Sequence, residues 1–396
     1  MTSVLSLPLL LIVCKGLLRC TFWQVSHACM MTMKKRSKKE ASKASLVADK
    51  SALKKGRIVT RPAGDLSNSR WFLTIGKTFI VLFVVYVSVP FILRLFPGLL
   101  GHVLYLNIFR VPFFVDLSRP SELSLNHTVN FYLTPEEGIT LGVWHTVPDC
   151  QWREAQGKDL VWYQESLKDG APVIIYLHGN AGTRGVSHRV ELMKVLTAAG
   201  FHVLAVDYRG FAESTGLPSE TGLTADAQYL YNWVKARSGR SLVCLWGHSL
   251  GTGVATNAAL KVQEQGTNVD AVILEAPYTN IREEGANHPF SKMYWKFPGF
   301  EYFFLDTIAL NNVVFPNDEN LKTMDSPLLI LHAEDDHIVP FHMSQKLFVI
   351  AHQAQGSKNR VQIVPFSGSL GYFHNGIYKD PNLPRIIWEF LQPLKA

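Results

Sequence analysis

The chain has 396 residues, 47% of them hydrophobic and 18% charged, which excludes a disordered protein and allows one large buried core plus a further segment. Its formal net charge of +7 is localised: residues 34–70 hold twelve Lys or Arg against Glu40, Asp49 and Asp65. With Lys15 and Arg19 added, that stretch leaves residues 71–396 at a net −4; its lack of interleaved aromatics or a binding motif, and its position beside an apolar segment, favour a topology signal over a nucleic-acid partner.

The first apolar stretch, Val4–Trp23, has the length of a signal-peptide core but no charged start, and Lys15 and Arg19 interrupt it. Cleaved, it would turn the next span into a stop-transfer helix and leave the rest of the chain cytosolic. A chain beginning at Met30, Met31 or Met33 would avoid that conflict. The second stretch, Trp71–Leu95, is long enough to cross ~30 Å of hydrocarbon, with Lys77 and Arg94 near its ends where long side chains reach headgroups. Because the basic excess precedes it, the N-terminal side is expected to be cytosolic and everything after residue 95 lumenal. Asn126-His127-Thr128, an N-glycosylation sequon just beyond the span, agrees. The expected organisation is an N-terminal segment 1–70, a transmembrane helix 71–95, a connector 96–129 broken by Pro97, Pro112 and Pro120, and a catalytic domain 130–396 with a lid at about 280–320.

Within that domain, Val/Ile/Leu-rich runs at Val173–Leu177, Val203–Val206, Leu242–Trp246, Ala271–Leu274, Leu328–Leu331 and Val361–Val364 alternate with helix-length segments such as 186–199, 219–238 and 251–264. Continuous apolar strands with helical crossovers predict an α/β fold, a mostly parallel sheet covered on both faces. Phe131–Leu133 and Ile139–His145 are expected to add antiparallel strands at one edge. The five cysteines (Cys14, Cys20, Cys29, Cys150, Cys244) have neither CxxC nor metal-ligand spacing. No metal or cofactor is read, and no oligomeric state.

Chemistry concentrates after three of these strands. Gly247-His248-Ser249-Leu250-Gly251 joins a strand to a small-residue helix, the strand–turn–helix context of a nucleophile elbow. Glycines flank the serine because side chains there would clash, and Ser249 is the expected nucleophile. In this fold the acid and then the histidine follow in chain order. After Leu328–Leu331 three carboxylates compete, Glu334, Asp335 and Asp336; the HGxxDxxVP pattern of many such hydrolases aligns with Asp336, with Asp335 as the alternative. His374, in the loop after the last strand, is the expected base. The backbone amides of Leu250 and of Asn180, in the His178–Gly182 loop, are the expected oxyanion donors, each contributing ~3 kcal/mol to the transition state. Phe290, Tyr294, Trp295, Phe297, Phe300, Tyr302, Phe303 and Phe304 crowd the lid, either as its core or as an acyl-chain wall. Arg209, after Val203–Val206, is expected to tie neighbouring loops together; binding an anionic headgroup is the alternative.

Together HGNAG, DYRGFAESTG, GHSLGTGVATNAA, LEAPYTN, LHAEDDHIVP and LGYFHNGIYKDP resemble the membrane-bound lipases of the α/β-hydrolase-domain family, over roughly residues 70–396. Residues 1–33 depart from the charged start of that family. The resemblance implies an α/β-hydrolase fold in a single-pass glycoprotein of the endoplasmic reticulum, its active site lumenal. It further implies deacylation of lysophosphatidylserine and related lipids, monoacylglycerols among them. The competing readings are a broader acyl-ester or thioester hydrolase and a catalytically silent scaffold, against which an intact Ser249, Asp336 and His374 speaks.

Overall fold

A computed structural model describes residues 65–356 and 360–395, with side chains from residue 71 on. The apolar stretch Val4–Trp23 and the basic stretch up to residue 64 lie outside the described residues. The compact unit Lys77–Ala396 holds every element that positions the site.

Helix α1 (Asp65–Leu95) contains the candidate span Trp71–Leu95, apolar on all sides and largely exposed. It is followed by α2 (Pro97–Tyr105). The domain continues with β1 (Thr128–Glu136), β2 (Ile139–Thr146), α3 (Leu160–Ser166), β3 (Val173–Leu177), α4 (Ser187–Ala198) and β4 (His202–Asp207). Then come α5 (Glu220–Lys235), β5 (Val243–His248), α6 (Leu250–Glu264) and β6 (Ala271–Glu275). The lid region carries α7 (Ile281–Asn287), α8 (Pro289–Lys292), α9 (Asp306–Ala309) and α10 (Asn317–Asn320). The chain closes with β7 (Leu328–Ala333), α11 (Phe341–Gln355), β8 (Val361–Phe366) and α12 (Leu383–Leu391).

One eight-stranded sheet runs in the order β1-β2-β4-β3-β5-β6-β7-β8. The β1–β2 and β2–β4 pairs are antiparallel and the rest parallel. Alternate residues of each central strand enter opposite cores, as a pleat of period two requires. Val173, Ile175 and Leu177 join Leu245 and α5, α6 and α11 on one face. Ile174, Tyr176, Cys244 and Trp246 join α4 and α12 on the other. Ligands of such sheets bind beyond the carboxyl ends of the strands, where the loops after β3, β5, β7 and β8 converge.

The connector is more ordered than expected. The chain breaks at Phe96, and Pro97 then opens α2, because the first helical position needs no N–H; Pro120 likewise opens a short 3-10 turn. The Arg94 guanidinium lies 4.1 Å over the Tyr302 ring of the lid, a cation–π contact. Arg209 ties the loop after β4 to α5 and to the end of β1 in place of neighbouring loops, donating to Asp226 and to Glu136, both at 2.6 Å.

Candidate active site

At the end of β5 the chain reverses so tightly that Ser249 is held at φ 52°, ψ −118°, a region L-residues avoid. A methyl on Gly247 would lie 2.3 Å from the Gly251 carbonyl oxygen, and one on Gly251 would lie 2.0 Å from that of Leu177. Only glycine fits either place. The Ser249 amide donates to the Glu275 carbonyl at 3.0 Å, pinning the turn to β6. Asn317, fully buried on α10, donates to Thr252 Oγ1 at 3.1 Å and accepts from Thr256 at 2.6 Å, fastening α6 to the lid.

The three carboxylates after β7 have separate partners. Asp336 Oδ2 lies 2.7 Å from His374 Nδ1, and its Oδ1 accepts the amides of Ile338 at 2.8 Å and Val339 at 3.0 Å. Burial opposes ionisation there, but hydrogen bonds from His332 and His374 hold the carboxyl well below the usual carboxylate range. Asp335 instead accepts the Phe373 amide at 3.1 Å, and Glu334 that of Gly368 at 3.2 Å. Those two acids hold the loop that carries His374; Asp336 meets the imidazole itself. With Nδ1–H donated to Asp336, the His374 Nε2 lone pair is free to accept a proton.

His248, the variable residue of the elbow motif, donates from Nε2 to the His374 carbonyl at 3.0 Å and so fixes the base from behind. Burial drives its imidazole pKa well down, so it serves as a neutral donor. His332 contacts both Asp336 Oδ2 at 3.2 Å and the Val339 carbonyl at 3.0 Å.

The His178–Gly182 loop lies against the nucleophile: a methyl on Gly179 would sit 3.1 Å from Ser249 Cβ. Its carbonyls turn inward to Arg189, a fully buried guanidinium on α4 that donates to Ala181 at 2.8 Å, Thr183 at 2.9 Å and Gly179 at 3.3 Å. Its amides turn outward. Those of Ala181, Gly182 and Thr183 are taken by the carbonyls of Tyr105, Phe109 and Val111 at 3.1, 3.1 and 2.9 Å. Of these four successive amides, only that of Asn180 has no protein partner among the described residues. Leu250, first residue of α6, likewise has an amide that no intrahelical carbonyl can meet. The amides of Asn180 and Leu250 thus both lack a protein partner among the described residues.

Ser249, Asn180, Leu250 and His374 share the wall of a cavity of about 480 Å³, of ligand-pocket size. Beyond them the wall is mostly apolar, with Leu100, Val103 and Leu104 from α2 and Phe290, Phe304 and Ile308 from the lid. Two of the eight lid aromatics therefore face the cavity. Phe297 and Phe303 pack on Phe91 of α1, and Tyr294 stacks on Tyr86 with centroids 4.6 Å apart. Burial keeps two of the ionisable groups on this wall neutral: it lowers His188 to about 3 and raises the Glu284 carboxyl, whose Oε2 has no partner, well above the carboxylate range. Sequence reasoning missed Arg189, His332, Asn317 and the α2 wall. Only the apolar run Leu99–Leu106 signalled any of them.

Behind the elbow, Glu275 accepts from Trp246 Nε1 at 2.9 Å, and burial pushes its carboxyl up to about 7. The folded state therefore binds this proton more tightly than the unfolded chain, and stability falls as pH rises from the ordinary value of 4.5 to about 7. Glu275→Gln removes that penalty. We expect it to melt with wild type at pH 4.5 and to exceed it at pH 8 by on the order of 3 kcal/mol. Paired thermal unfolding at the two pH values measures the difference; a variant no more stable at pH 8 contradicts the assignment.

The strand order, the glycine-flanked elbow and the leftover amides define an α/β hydrolase. A model of the alpha/beta hydrolase fold matches residues 172–311. Among solved structures, an esterase of Pyrococcus furiosus superposes with a TM-score of 0.53 at 18% identity, covering 73% of this chain and 98% of its own. An α/β hydrolase of Vibrio vulnificus does so at 0.51, also at 18% identity, covering 75% and 91%. Among curated proteins, the lysophosphatidylserine lipase ABHD12 of Rattus norvegicus is 52% identical over 324 residues, 82% of this chain and 81% of its own. That of Danio rerio is 53% identical, covering 78% and 81%, and protein ABHD12B of Homo sapiens 52%, covering 75% and 82%. The chain belongs to the ABHD12 family and is a hydrolase of esters.

Proposed function

We propose that this chain is a membrane-anchored serine lipase that removes the acyl group of lysophospholipids, lysophosphatidylserine first among them and monoacylglycerols as a second class. The carrying observation is His374 set between Asp336 and a cavity whose wall also holds Ser249 and two unpaired amides. His374 Nε2 takes the proton of Ser249 as its oxygen attacks the acyl carbonyl; the amides of Leu250 and Asn180 receive the oxyanion, and Asp336 stabilises the imidazolium. His374 then protonates the leaving alkoxide. Water, deprotonated by the same His374, releases the fatty acid from Ser249. The mostly apolar wall suits an acyl chain. The phosphatidylserine headgroup rests on the names of the relatives.

Fluorophosphonate treatment of reconstituted protein tests the chemistry, and lysophosphatidylserine turnover tests the substrate. An adduct mapped to the Ser249 peptide together with fatty-acid release is the expected result. An adduct without release would send the substrate search elsewhere; well-folded protein that takes no adduct would favour a silent scaffold.

The same reading places the domain in the lumen of the endoplasmic reticulum, anchored by α1, with Asn126 glycosylated. Asn126 is exposed just before β1. Endoglycosidase should shift wild-type protein on a gel and leave Asn126→Gln unchanged; two unshifted bands would favour the cytosolic orientation.

A further inference from the structure

Between α2 and the first strand, the run Ile108-Phe109-Arg110-Val111-Pro112-Phe113-Phe114 turns its large side chains into solvent. Phe114 is fully exposed, and Phe113 and Phe109 are 61% and 54% exposed. Phe114 also holds φ at 65°, a conformation costly for a bulky residue and spent here on facing outward. The backbone beneath is nevertheless fixed: the Phe109 and Val111 carbonyls bind the amides of Gly182 and Thr183, and Asn107 Nδ2 donates to the Gly210 carbonyl at 3.0 Å. A rigidly seated, contiguous apolar surface on a water-soluble domain marks an interaction site.

We propose that this loop inserts into the lipid bilayer and forms the lip over which substrate passes from membrane to cavity. The inference rests on the membrane-anchored reading above. Three observations select lipid as the occupant. First, the candidate span within α1, Trp71–Leu95, has 25 residues, about 37 Å at 1.5 Å each, roughly 7 Å more than the hydrocarbon core needs. Its last turns bear Phe91, which packs on Phe297 and Phe303, so the lid is held at the height where the helix leaves the membrane. Second, only the nine residues of α2, roughly 13 Å, and a short turn separate that helix end from the loop. Third, Arg110 is the only Asp, Glu, Lys or Arg between residues 96 and 115, and a cation among aromatics is the pattern of a headgroup-level anchor. On its inner side the loop contributes Val111 to the cavity wall, next to Leu106.

The test uses the full chain in phosphatidylcholine–phosphatidylserine vesicles, with the photo-crosslinker benzoylphenylalanine replacing Phe113 or, as control, the exposed Tyr132 of β1. Illumination should attach lipid at position 113 and none at 132. In parallel, the double variant Phe113→Ser/Phe114→Ser should lose about tenfold of vesicle-borne lysophospholipid hydrolysis while hydrolysis of soluble p-nitrophenyl butyrate stays within about twofold. A crosslink to a second copy or another protein would overturn the proposal, as would no lipid adduct from protein that withstands an alkaline wash. Protein released by that wash would overturn the anchored reading and this inference together.

Discussion

Ser249→Ala is expected to abolish hydrolysis, a loss of roughly 10⁶-fold in kcat, without loss of folding. Every contact that shapes the elbow is made by backbone or by neighbours: the Ser249 amide binds Glu275, and Thr252 and Asn317 secure the helix behind it. Alanine keeps all of these, and it also keeps the strain of φ 52°. Ser249→Gly removes the strain at some cost in unfolded-chain entropy, so it should be equally inactive yet more stable than the alanine variant by about 1 kcal/mol. Circular dichroism, thermal melts and a lipase assay on the three proteins decide the matter. Residual turnover in either variant above about a thousandth of wild type would remove Ser249 from the proposed mechanism, since the oxyanion site alone leaves far less. A glycine variant no more stable than alanine would deny that the elbow stores strain.

How much was legible in the chain depended on whether a feature is local. The six parallel strands were readable because burial on both faces imposes unbroken Val/Ile/Leu runs, and the observed β3 coincides with Val173–Leu177. The elbow was readable because its glycines are demanded by contacts within a few residues and one strand away. Features set by distant chain were not. A single arginine on an amphipathic helix reads as solvated surface; Arg189 is buried only because the carbonyls after β3 replace water around it. The helix α2 was hidden by Pro97, whose reputation as a breaker holds for helix interiors and not for the first position. That the connector forms part of the cavity wall needed the fold, since Leu100 and Ile308 are two hundred residues apart in sequence.

The acid was the least legible member of the site, because Glu334, Asp335 and Asp336 are consecutive and chemically alike. Their turn separates them: the Asp336 amide donates to the Ala333 carbonyl at 3.2 Å, which carries the third carboxylate beneath His374 and leaves the second facing the Phe373 amide. Asp336→Asn should therefore lower kcat by about 10⁴-fold with little change in KM, because an amide neither holds the Nδ1–H tautomer nor stabilises the imidazolium. Asp335→Asn keeps an oxygen for the Phe373 amide and should stay within a few-fold of wild type. The stability of Asp336→Asn should change as well. A carboxyl depressed in the fold binds fewer protons there than in the unfolded chain, so Asp336 stabilises above its ordinary value of 3.8 and loses that contribution as pH falls below it. Asp336→Asn should lose this part of the acid sensitivity, which thermal unfolding across the acid range measures. If kinetics instead single out Asp335, the proposed acid moves by one residue, and the loop bearing His374 must close differently during turnover. If neither substitution costs more than about tenfold, the imidazole is oriented without a carboxylate. The His374 carbonyl held by His248 would then be the contact that fixes it.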